Sequence, residues 1–70
     1  MKNTDRAIAA RQALATFVRS NGLQDEDTQT QITDLLTNIY HLCDLCDVDR
    51  GTVVDLAAVH YHAERIEEQT

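Results

Sequence analysis

The chain has 70 residues, with twelve acidic side chains against six basic ones and a formal net charge of −6. A chain this short forms one domain and buries only about 60% of the surface its unfolded form exposes, so its own core is small and a partner subunit is expected. Six Lys and Arg side chains are too few to replace phosphate counterions along a nucleic acid, and a hydrophobic fraction of 43% is too high for a disordered chain.

The first helix is predicted over about residues 4–21, with Asn3 or Thr4 as its N-cap. Ala7, Ala10, Leu14, Phe17 and Val18 recur there at helical spacing, and Ile8 widens the stripe. Asn21-Gly22 ends this helix, because glycine accepts the left-handed geometry of a C-terminal cap. The second helix is predicted over about 27–46, capped by Asp25 or Asp27. Ile32, Leu35, Leu36, Ile39, Leu42, Cys43 and Cys46 make its broad apolar face. The third is predicted over about 50–68 with Asp49 as cap, and its apolar stripe is Leu56, Val59, Ala63 and Ile66, supported by Val53. The link of Asp47 to Asp49 is so short that helices two and three are expected to pair as an antiparallel hairpin. The expected architecture is all-α, a single domain over 1–70. It is either a small three-helix bundle that dimerises or a hairpin that dimerises while helix one packs across it.

The densest group of chemically capable residues is His41-Leu-Cys-Asp-Leu-Cys-Asp-Val-Asp-Arg50. Cys43-x-x-Cys46 matches half of a zinc ligand set, but the other half offered by His60-x-His62 does not. At about 100° per residue those two imidazoles diverge by about 200° on a helix and cannot face one ion. The cysteine pair sits in the last turns of helix two, at the opposite end from the helix N-terminus where reactive Cys-x-x-Cys pairs lie, so the spacing reads as core packing. On the opposite face Asp34, Asn38, His41 and Asp44 fall within a band about 120° wide, a polar arc able to meet a divalent cation or a basic partner. A second cluster, His60, Tyr61 and Glu64, lies on helix three, where the spacing permits a hydrogen bond from Glu64 to either neighbour. No nucleophile elbow, phosphate-binding glycine loop or H-E-x-x-H pair occurs in the sequence.

Two resemblances cover the second half of the chain. Asp34-Leu35-Leu36, His41-x-Cys43-Asp44, the Val48-Asp49 turn and the run from Ala57 to Glu64 resemble small helical proteins encoded by phages and other mobile elements. That resemblance implies an accessory protein and no particular chemistry. The same segment is similar to the metal-binding half of MazG-type nucleoside triphosphate pyrophosphohydrolases, whose Glu-x-x-Asp pair falls here on Gln31 and Asp34. Helix one lacks the Glu-Glu-x-x-Glu of that family. The similarity implies an all-helical fold and a magnesium ion near Asp34, His41 and Asp44.

The expected function is that of a non-enzymatic accessory protein acting through protein–protein contacts, with itself as a homo-oligomer or with a basic host protein, and without cofactor. The possible interaction surface is Asp34, Asn38, His41, Asp44, His60, Tyr61 and Glu64. Two alternatives are a minimal magnesium-dependent nucleotide pyrophosphohydrolase and an acidic DNA mimic that blocks a nucleic-acid-binding protein. No segment reads as a signal peptide or membrane span, and the two cysteines read as reduced thiols, so the cytoplasm is the expected location.

Overall fold

In a computed structural model, which describes residues 1–69, the chain forms three helices and, among those residues, no strand: α1 (Asn3–Asn21), α2 (Thr28–Leu45) and α3 (Arg50–Gln69). Local chemistry sets their limits. The Asp27 carboxylate accepts from the Thr30 backbone N–H at 2.7 Å. Asp49 accepts from both the N–H and the hydroxyl of Thr52, at 2.8 and 2.7 Å. Each satisfies a first-turn donor that has no intrahelical partner. These bonds hold both carboxyls below the ordinary aspartate range, since they favour the charged form.

The N-cap of α1 differs from the expected Asn3 or Thr4. Lys2 takes that position, and its backbone N–H donates to Asp5 Oδ2 at 3.1 Å. Asn3 bridges helices instead, since its amide donates to the Glu64 carbonyl of α3 at 3.3 Å while its oxygen accepts from Arg6 at 2.8 Å. α1 ends as expected at Gly22, whose φ of 67° lets the Leu23 N–H return to the Val18 carbonyl at 3.0 Å. α2 ends in the same way with a different residue. Asp47 adopts φ 58°, and the Val48 N–H reaches the Cys43 carbonyl at 2.8 Å. Aspartate is one of the few side chains that enter this region at modest cost.

α1 and α2 lie side by side. Leu14 and Val18 line one cleft with Thr28 and Gln31, and the Gln31 side chain ties the α1–α2 link by donating to the Leu23 carbonyl at 2.9 Å. α3 begins beside α2, with the Arg50 guanidinium 5.2 Å from the Tyr40 ring centroid. Farther along it meets the first turns of α1, where Arg6 Nε lies 3.1 Å from Glu64 Oε2.

The result is open. The radius of gyration is 13.8 Å, against about 11 Å for a compact chain of this length. The principal extents are 40 × 29 × 17 Å. The accessible surface is 5779 Å², while a compact monomer of this mass exposes about 4,400 Å². Among the described residues only Val18 and Cys43 are buried, at 9% and 7% exposure, and no side chain is fully enclosed.

The stripe expected to bury α3 is outside. Leu56, Val59 and Ile66 are 52%, 61% and 63% exposed, Ala63 is exposed as well, and Val53 is only partly covered. α3 turns Tyr61 and Glu64 toward α1 instead. Cys46, also expected in the core, is exposed.

Candidate functional site

The polar arc of α2 divides between two surroundings. Asp34 and Asn38 line a shallow groove of about 240 Å³ with Phe17 and Asn21 from the end of α1 and Leu23 from the link that follows it. His41 and Asp44 lie farther along the helix, exposed and outside that groove. A helix face turns through its arc as it rises, so residues within 120° of one another still spread over about 15 Å of length between positions 34 and 44. Sharing a face does not make them meet.

The α3 cluster divides differently, since Tyr61 and Glu64 line one cleft and His60 does not. Glu64 is engaged across the helices. Its carboxylate pairs with Arg6 and its carbonyl accepts from Asn3, so it joins two helices. Tyr61 borders with Glu64 a cleft of about 370 Å³ completed by Asn3, Arg6, Ala7 and Arg65, and the Arg65 guanidinium lies 5.7 Å from the Tyr61 ring centroid. His60 is exposed and does not line that cleft, while His62 sets its ring edge-on to Tyr61 at 5.4 Å. The Arg6–Glu64 ion pair is partly exposed and contributes on the order of 0.2–1 kcal/mol.

The cysteines have separate environments. Cys43 is buried and Cys46 exposed, and both are free thiols. Among the described residues no three His, Cys, Asp or Glu side chains converge as a metal-holding group. The carboxylates and imidazoles singled out from the sequence are therefore distributed along two helices. None of the helices is long and apolar enough to cross a membrane.

What periodicity alone did not reveal is apolar. An open groove of about 330 Å³ runs between α1 and α2, walled by Ala7, Ala10, Leu14, Ile32 and Leu35 with Arg11 and Thr28 at its edge. On α3 the exposed set Leu56, Val59, Ala63 and Ile66 follows steps of three, four and three. That is the spacing of a seam that packs helix against helix. The signal was in the sequence, but periodicity reports that a face is apolar and not which chain covers it. No protein-family model, curated protein or solved structure matches this chain.

Proposed function

We propose that this chain is a non-enzymatic interaction protein, an accessory subunit whose fold is completed by the partner it binds. The observation that carries this reading is the inversion of its burial. Two described side chains are buried, while large apolar residues on all three helices, among them Ile8, Ile32, Leu36, Leu56, Val59 and Ile66, are about half exposed or more. Apolar area left in water forgoes roughly 25 cal/mol per Å², and contiguous exposed apolar patches on a small protein mark sites of association. The negative charge acts at longer range. It steers the chain toward a basic surface and opposes the approach of a like chain, so any self-association has to be carried by the apolar faces.

The test is the stability of the isolated chain. In dilute solution it should unfold over a broad range with little cooperativity, take up a dye that reports exposed apolar surface, and become more stable as its partner is added. A sharp, concentration-independent transition with a stability above about 5 kcal/mol and no dye uptake would overturn the reading, because a chain of this size with that stability already has a complete core.

A further inference from the structure

We propose that the apolar seam of α3 is the contact between two copies of this chain, paired in parallel; this rests on the reading of the protein as an interaction module and names its first partner. With Leu56 and Ala63 in one seam position and Val59 and Ile66 in the other, α3 carries two repeats of a heptad pattern over about three helical turns. The seam is accessible. α1 contacts α3 through Tyr61 and Glu64, roughly 120 to 180° around the helix from the middle of the seam.

The flanking residues choose the partner and its direction. Asp55 and His62 border the seam on one side, and His60 and Glu67 on the other. In a parallel pair the first side of one helix meets the second side of its neighbour five residues on, so Asp55 meets His60 of the second copy and His62 meets Glu67. Each contact joins an imidazole N–H to a carboxylate, and the two-fold axis repeats both. In an antiparallel pair His60 would face His60, and His62 would face His62, with Asp55 opposite Gln69. The complementarity exists only for a second copy running the same way.

The chain is open enough to need a partner. Its exposed surface of 5779 Å² exceeds that of a compact monomer by roughly 1,400 Å² over all its faces, and three of the four seam side chains, Leu56, Val59 and Ile66, are more than half exposed. A self-complementary patch also closes after two chains, which fits a twofold dimer better than an open polymer.

Sedimentation equilibrium of the full chain from about 1 to 100 µM tests this, with tenfold in affinity corresponding to 1.4 kcal/mol. The wild type should be a dimer, and Leu56→Asp should weaken it by about 100-fold or more, because it places two carboxylates in the desolvated seam. Circular dichroism of Leu56→Asp should still report helix, since Leu56 lies outside the monomer's own core. Direction is read from Ile66→Cys in a Cys46→Ser background. A parallel pair brings the two seam cysteines within disulfide reach, less than about 7 Å between Cα atoms, and an antiparallel pair centred on the seam holds them about 15 Å apart. Rapid formation of a reducible dimer on mild oxidation supports the proposal. A wild-type monomer across the range, a Leu56→Asp dimer as tight as wild type, or a dimer that does not cross-link at position 66 overturns it. A monomer that still takes up dye and unfolds non-cooperatively would leave the interaction role standing with another partner. A stable, dye-free monomer would remove both.

Discussion

Val18→Ala isolates the part of the fold that the single chain supplies for itself. Among the described residues Val18 is one of two that are buried, and it lies where α1 meets Thr28 and Gln31 of α2. The substitution removes two methyl groups from a site with 9% exposure. At about 0.8 kcal/mol per buried carbon the transfer loss is about 1.6 kcal/mol, and a residual cavity raises it toward about 2.5 kcal/mol. A chain of this length rarely has more than about 3 to 5 kcal/mol in total, so one substitution should remove about half of its stability. Because the free chain melts gradually, the loss should show as lower helicity throughout the melt rather than as the shift of a single midpoint. Urea and thermal melts followed by far-ultraviolet circular dichroism, at a concentration low enough to suppress association, would measure it. Leu45→Ala is the control, since Leu45 is 83% exposed and should change stability by less than about 0.5 kcal/mol. Equal effects from the two variants, or a Val18→Ala protein as stable as wild type, would refute the assignment of the core to the α1–α2 contact.

The two capping aspartates set an acid limit. Their folded-state pKa values lie below the reference of 3.8 because they accept bonds from Thr30 and Thr52. Their contribution is therefore complete above that reference and is lost as the pH falls through the lowered folded values. Asp27→Asn/Asp49→Asn keeps capping oxygens that cannot titrate, so helicity in the acid melt should fall less steeply than in wild type, and an identical acid profile would count against the caps. Alkylation followed by mass spectrometry should label Cys46 at once and Cys43 only as the helices open, since one thiol is exposed and the other buried; matching rates would contradict that burial. Gly22→Ala should cost about 1 kcal/mol in a urea melt although no atom crowds the added methyl, because φ of 67° disfavours any side chain. A neutral result would mean that the cap does not form.

Helix limits were readable because they depend on neighbours in the chain. Asp27 and Asp49 cap with donors three residues away, and Gly22 turns the chain with its own φ. The orientation of the helices depends on residues far apart in sequence. Asn3 was expected to cap α1, yet it reaches 61 residues along the chain to Glu64. In the arrangement that contains that bond and the Arg6–Glu64 pair, α3 faces α1 with a polar side, and Leu56, Val59, Ala63 and Ile66 lie outside. Spacing on one helix could not report this choice. The polar arc had the same weakness: it recorded the direction of Asp34 and Asp44 from the axis, while their separation along it and the approach of Phe17 and Asn21 to one end decided their surroundings.

The small core also has a consequence in time. Nearly all of the structure is built from bonds within single helices, so a free chain should form and lose its helices in microseconds to milliseconds, with association as the slow, concentration-dependent step. Proteases cleave the opened state in proportion to its population. With only Val18 and Cys43 enclosed among the described residues, a free copy should open often and be cleaved readily, and under the proposed role a bound partner should slow that cleavage. On the proposed reading, the shallow burial of this fold would tie the lifetime of each chain to its assembly, which limited proteolysis of the chain with and without its partner would measure.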